Sequence, residues 1–241
     1  LKMGVTGTNG IPDHPPSNPV KLMMLGAKRL GYTHFPGNSA INSEARDGRP
    51  ACQMLGFCSS GCKIGAKWST LYTEVPKALA TGKFELRPES MALQIQHDAT
   101  GKVSGVLYSD EHGNQQLQKA RIVCVAGNAI ETPRLLLNSA SNIYPDGLAN
   151  ADGNVGRYYM RNATAYVYAT FEKPVYAHRS QDSPALIADE VRHDPARGFA
   201  GGYYLHNFNA GLPMVAGGVK PGSWGKAVTR LIEQYDRMMG I

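Results

Sequence analysis

Cysteine and tryptophan are scarce and long apolar runs are missing, and these shortages exclude whole classes of protein. Four cysteines in 241 residues are too few for a disulfide-stapled miniprotein, and a chain of this length buries a sizeable core without staples. No apolar stretch reaches the roughly 20 residues that a membrane-spanning helix needs, so insertion into a bilayer by this chain is not expected. A charged-then-apolar leader is missing from the opening residues as well. Lysine and arginine total 25 against 19 acidic residues, a formal charge of +6 with a pI near 9.1. They are scattered, however, with none of the runs that track a phosphate backbone, so nucleic acid is not an expected partner.

What the sequence does have is turn formers and a knot of thiols. With 27 glycines and 15 prolines, 42% hydrophobic and 18% charged residues, it reads as a globular chain rich in loops and sheet. Three of the four cysteines, Cys52, Cys58 and Cys62, fall in one loop interleaved with Gly56, Gly61 and Gly65. Thiolates are soft ligands suited to iron–sulfur clusters, zinc or copper(I), and glycines let backbone N–H groups approach a cluster's sulfurs. The spacing is neither the C-x₂-C pair of zinc ribbons nor the C-x₂-C-x₂-C run of bacterial ferredoxins. Residue chemistry leaves two alternatives open, burial as small hydrophobes and a disulfide from Cys58 to Cys62 or Cys52. Cys124 differs: the run from Ile122 to Ala126 is continuously apolar, predicting a strand buried on both faces with this thiol in the core.

Taken in order, Gly4 to Gly10 is turn-rich and matches a phosphate loop in composition only. Asn18-Pro19 opens a helix that ends at Gly31. Ser69 or Thr70 caps a second helix, kinked by Pro76 and stopped by Gly82. Strand-like runs at 84–87, 92–95, 103–108 and 115–118, divided by Asp98-Ala-Thr-Gly101 and Asp110-Glu-His-Gly113, predict a β-meander. After the apolar run, Gly127 leads into a helix over 131–139, the strand–glycine–helix geometry at which a nucleotide approaches the backbone. Composition shifts at 146–153. A strand over 163–171 and a terminal amphipathic helix over 223–239 are expected beyond it. Neither end has the character of a natural terminus, so an internal segment of a longer polypeptide is expected.

The stretches Gly127-Asn-Ala-Ile-Glu-Thr-Pro133-Arg-Leu-Leu-Leu-Asn-Ser139 and Gly56-Phe-Cys58-Ser-Ser-Gly61-Cys62-Lys-Ile-Gly-Ala-Lys67-Trp-Ser69 resemble the glucose-methanol-choline (GMC) flavoprotein oxidoreductases. The nearest resemblance is to the bacterial branch that includes the gluconate and FAD-glucose dehydrogenase large subunits. The fold class this implies is α/β plus α+β: residues 1–150 as part of a Rossmann-like FAD-binding domain carrying the meander and the cysteine loop, and 151–241 as part of a sheet-based substrate domain. Ala92, Ala126 and Gly127 would then lie near FAD, with Ala92 facing adenine through its main chain, and Asn42 and Ser43 towards the flavin. Cys52, Cys58 and Cys62 match the ligand spacing of a 3Fe-4S cluster in this branch.

The resemblance further implies oxidation of a CH–OH group on a sugar, sugar acid, polyol or other alcohol. Electrons would pass through the cluster to a haem partner, a cytochrome c subunit, at the periplasmic face of a bacterial membrane. A small export subunit and the remaining parts of the same polypeptide would be further partners. Two family features have no counterpart in this sequence, the G-x-G-x-x-G phosphate motif and the C-terminal histidine that acts as general base. Catalytic residues are therefore expected outside this chain, and His97, His112 and His193 are expected in solvated loops. Two alternatives compete: a non-enzymatic iron–sulfur or metal electron-transfer module, and a cluster-free GMC oxidase.

Overall fold

The computed structural model describes residues 12–180, 185–187, 193–208, 211–212, 217–218 and 222–241. The turn-rich opening from Gly4 to Gly10 lies outside the described residues. Mixed α/β structure is arranged in two compact units, one made of Leu1–Ala80 and Ala165–Ile241 and the other of Thr81–Thr164.

The first unit is built on helix α1 (Asn18–Leu30). Ser17 precedes it in extended backbone, and Pro19 sits where a missing N–H costs nothing. Gly31, at φ 77, ends it, with the Gly31 and Tyr32 N–H groups returning to the carbonyls of Lys28 and Ala27. Val20, Met23 and Ala27 form its buried face. Strand β1 (His34–Pro36) follows. Helix α2 (Glu74–Ala80) is shorter than the capping signal predicts: residues 70–73 form turns, and Pro76 falls in the first helical turn instead of kinking an interior. A proline lacks the N–H that an interior position needs, so the helix starts only where that loss is harmless.

In the second unit, β2 (Met91–His97), β3 (Val103–Ser109) and β4 (Gln115–Lys119) form the expected antiparallel meander in the order β2-β3-β4. Each hairpin is locked by an aspartate. Asp98 Oδ1 accepts from the N–H groups of Thr100 and Lys102, and Asp110 Oδ1 from those of His112 and Asn114. Helix α3 (Asn128–Asn138) is clamped to β2 by Ser139, whose hydroxyl donates to the Leu135 carbonyl and accepts from the Ile95 N–H at 2.9 Å.

Returning to the first unit, β5 (Tyr168–Thr170), β6 (Ala185–Ile187) and β7 (Leu205–His206) are followed by helix α4 (Lys226–Ile232) and strand β8 (Met238–Gly240). The small antiparallel sheets are β1-β6-β7 and β5-β8. Their core joins the buried face of α1 to Ala185, Ile187 and Met239.

Four expectations are corrected. Residues 84–87 form no strand, and the chain turns through Pro88 and Glu89 instead. The run from Ile122 to Ala126 is neither a strand nor buried: Ile122 is 79% exposed and Cys124 is exposed. A doubly buried strand requires a neighbour on each side, and among the described residues none pairs with this run. The strand over 163–171 shrinks to β5. The terminal helix breaks after Ile232, and Tyr235–Arg237 form a 3₁₀ turn that sends Met238 and Met239 into the core as β8.

Candidate functional site

Within the second unit a cleft of about 780 Å³ opens between two stretches of main chain, 89–93 and 123–127, with the start of α3 at one side. It brings together Ala92, Ala126 and Gly127. The bend from extended chain into helix depends on local capping. Asn128 sits at φ 76, and its side-chain oxygen accepts from the N–H groups of Ile130 and Glu131. The Gly127 N–H donates to the Thr132 hydroxyl at 3.0 Å. A β carbon at position 127 would make ordinary contact at 3.4 Å with Glu131 Cβ and the Thr132 nitrogen, so the turn into the helix rests on the Asn128 and Thr132 side chains.

Strand β2 is at the edge of the meander, and its ladder skips a residue: Ala92 pairs with Tyr108 and Gln94 with Leu107, leaving Leu93 as a bulge at the cleft. A bulged residue keeps its main-chain groups out of the ladder and available to something else. Charged side chains at the cleft come from α3, where Glu131 and Arg134 lie one turn apart and pair at 3.1 Å, and from Glu89, held at φ 51. Neither α3 charge was singled out by the sequence pattern. The signal was present in the spacing, since Glu131, Arg134, Leu135 and Asn138 follow the i, i+3, i+4, i+7 progression of one helix face. Cys124 also lines this cleft.

The cysteine loop belongs to the first unit, and Asn42 holds its ends. Asn42 is 2% exposed. Its amide nitrogen donates to the carbonyls of Arg46 and Arg49 at 3.2 and 3.3 Å, while its main chain accepts from Cys52 N–H and donates to Ala66 O. Arg49 completes the brace, its guanidinium donating to the carbonyls of Gly65 and Ala66 and to Asn42 Oδ1. Ser43 donates its hydroxyl to the Pro12 carbonyl. Asn42 and Ser43 are thus engaged with the loop and its approach, and neither lines the cleft around Ala92.

Cys58 and Cys62 line an open cavity of about 400 Å³ together with Lys67, Trp68 and Tyr72. Main-chain N–H groups donate to two of the sulfurs, Met54 to Cys52 at 3.3 Å and Lys67 to Cys62 at 3.4 Å, while the Lys67 ammonium bonds the Cys58 carbonyl. Burial pushes the Cys52 thiol up; the Met54 N–H opposes this and the neighbouring Cys62 adds to it. No disulfide joins any of the four cysteines. Among the described residues no three His, Cys, Asp or Glu side chains gather to hold a metal ion. The loop supplies soft sulfur and N–H donors without drawing Cys52, Cys58 and Cys62 into a ligand set.

Of the histidines, His112 is exposed and His193 accepts from the Gly201 N–H. His97, expected in solvent, instead bonds Ser141 Oγ at 2.7 Å and the Asp98 carbonyl, tying the end of β2 to the segment after α3. His178 was not anticipated. Its ring stacks on Tyr235 at 4.6 Å with Nε2 3.6 Å from Asp236, and its carbonyl presses on Gly56 of the cysteine loop.

A family model described as GMC oxidoreductase matches residues 1–157. The chain belongs to the GMC oxidoreductase family. Among its relatives, 2-methyl-1,2-propanediol dehydrogenase of Mycolicibacterium austroafricanum is 31% identical over 96% of this chain and 45% of its own length. Paromamine 6'-oxidase of Streptomyces fradiae is 33% identical over 88% of this chain and 38% of its own. The fructose dehydrogenase large subunit of Gluconobacter japonicus is 29% identical over 73% and 35%. This GMC chain therefore spans less than half the length of each of these curated relatives. The cleft at the start of α3 lies inside the matched region. The cofactor the family implies is FAD, and the apolar side chains and main chain lining the cleft fit a flat group of that kind.

Proposed function

We propose that this chain is part of an FAD-dependent dehydrogenase that oxidises a CH–OH group on a sugar, sugar acid, polyol or other alcohol. The observation that carries the reading is the cleft that joins Ala92, Ala126 and Gly127 where the chain enters α3, within the family match. The names of the relatives support the substrate class: a propanediol, paromamine and fructose.

The flavin, when bound, accepts a hydride equivalent from the alcohol carbon. This chain's residues bind and orient. The bulged main chain at Leu93 and the segment ending in Gly127 would hold the nucleotide portion of the cofactor when it is bound. The base that takes the hydroxyl proton is assigned to the part of the longer polypeptide that this chain does not span. The deciding experiment is the visible spectrum of the intact protein. Flavin absorption that bleaches on adding a sugar or alcohol is expected, and a protein that binds no FAD overturns the assignment.

A second reading concerns electron exit. The spacing of Cys52, Cys58 and Cys62, with N–H donation to two of their sulfurs, favours a 3Fe-4S cluster that hands electrons to a cytochrome c subunit at the periplasmic face, with an export subunit as a further partner. The ungathered sulfurs favour the cluster-free oxidase. Iron analysis separates the two: stoichiometric iron that is lost in Cys58→Ser while FAD stays bound supports the cluster, and iron near zero beside full flavin supports the oxidase.

A further inference from the structure

We propose that His178 is an acid-sensitive latch on the cysteine loop: its neutral ring, packed on Tyr235, holds in place the turn that presses on Gly56, and protonation releases that turn.

The turn is Tyr176–Arg179, closed by the Arg179 N–H on the Tyr176 carbonyl, and it is tied into the first unit at several points. The Asp236 carbonyl accepts from the N–H groups of Val175 and Tyr176 at 2.7 and 2.8 Å, and Asn18 of α1 donates to the Val175 carbonyl. The His178 carbonyl lies against the Gly56 backbone, midway between Cys52 and Cys58. The turn is strained. Tyr176 sits at φ 52, a left-handed conformation that a residue with a β carbon keeps only where its surroundings hold it. The His178 ring supplies that hold, stacked on Tyr235 at 4.6 Å and edge-on to Tyr176 at 6.2 Å.

Only a neutral ring fits this place. Nε2 lies 3.6 Å from Asp236, whereas Nδ1 is buried with no hydrogen-bond partner among the described residues. Neutral imidazole meets this by carrying its proton on Nε2 and leaving a lone pair at Nδ1. Imidazolium has an N–H on both nitrogens, and a buried, unpaired N–H on a cation is costly. The cavity that His178 lines with Tyr168, Phe208, Met238 and Met239 is about 10 Å³, at the lower limit for one water. Solvent does not come in to the charged ring, so the ring goes out to solvent. The groups around it agree with this. Burial lowers the His178 pKa, Asp236 opposes the change and Arg179 adds to it. Burial pushes the Tyr168 and Tyr235 phenols up, so neither ionises where histidine titrates. Acid therefore breaks the stack, Tyr176 relaxes, and the His178 carbonyl withdraws from Gly56, loosening the loop.

The test is hydrogen exchange of the full chain between pH 8 and 5, read by mass spectrometry. Each rate is divided by that of the unstructured peptide, which removes the intrinsic effect of pH. The readout is segment 52–60, which holds the Cys52 N–H bonded to the Asn42 carbonyl and the Met54 N–H bonded to Cys52 Sγ. The β2–β3 hairpin of the second unit is the reference. Protection of 52–60 is expected to fall roughly tenfold as pH drops from about 6.5 to 5, with the hairpin unchanged. His178→Phe keeps a ring on Tyr235 and takes no proton, so its loop should stay protected throughout. His178→Gln has neither ring nor charge, and its loop should be equally loose at every pH. A wild-type profile flat with pH overturns the proposal. So does a fall that persists in His178→Phe or His178→Gln, which would assign the response to another group such as His14 on the Ile41 carbonyl.

Discussion

Gly56 and His178 meet backbone to backbone. A β carbon at position 56 would lie 1.6 Å from the His178 carbonyl oxygen, and Gly56 itself sits at φ 77. Gly56→Ala therefore combines a left-handed conformation with a collision that no side-chain rotation relieves. It should cost on the order of 3 kcal/mol. Gly61→Ala is the control: φ is 92 but nothing lies within 4 Å of the added carbon, so only about 1 kcal/mol is expected. Equal melting temperatures for the two variants would show that the contact with His178 is not formed.

The brace under the cysteine loop predicts a second loss. Asn42→Leu removes a buried amide that donates to the carbonyls of Arg46 and Arg49, leaving them only each other's N–H groups, at a cost of about 1–3 kcal/mol. Arg49→Lys should fail to substitute, because one ammonium cannot reach Gly65, Ala66 and Asn42 as the guanidinium does. Urea titration measures the loss, and hydrogen exchange at Cys52 N–H reports whether the loop opens first.

Two histidines predict how stability follows pH. Burial lowers the pKa of His14, although its bond to the Ile41 carbonyl and nearby Asp13 act the other way. Burial also lowers that of His178, opposed by Asp236 and assisted by Arg179. Each binds a proton more readily unfolded than folded, so their contribution is complete above the ordinary histidine value near 6.5 and is lost as pH falls through it towards the folded values. The melting temperature should drop as pH falls below about 6.5, and His14→Gln should flatten part of that drop. A slope unchanged by the substitution would count against burial of His14.

Thiol chemistry should rank the cysteines. Cys124 is exposed, whereas Cys52 is half-buried with its pKa raised. Thiolate and access together set alkylation rate, so a time course by mass spectrometry should label Cys124 before Cys52. The reverse order would mean that the run around Cys124 is covered.

In the second unit, Ser139 is 1% exposed and serves both Leu135 and Ile95. Ser139→Ala leaves the buried Ile95 N–H without its partner, costing about 1–3 kcal/mol. A change within a few tenths of that unit, read by thermal melting, would show the clamp to be dispensable.

How much of this was legible in the sequence depended on distance along the chain. The caps of α1 and the hairpins at Asp98 and Asp110 are set by neighbours within a few residues, and their residue types announce them. The strand expected at 122–126 was not a local matter. Apolar residues say which side chains favour burial, but whether a strand lies alongside depends on chain far away. Asn42 has the same history. Its type suited a polar pocket, yet its bonds go to carbonyls and an arginine that only the folded loop brings near. The carbonyl of His178 owes its importance to Gly56, a partner in a distant part of the chain, and nothing near either residue signals it.

The uncovered run from Ile122 to Ala126 has a consequence for handling the protein. Five apolar residues that pair with no strand among the described residues, and with no charge or proline among them, are an adhesive stretch to which another chain can add. Solubility should then be governed by these few residues more than by the +6 charge. A lysine placed at Ile122, 79% exposed and already outside any core, would act as a gatekeeper and raise the concentration at which the chain stays dispersed.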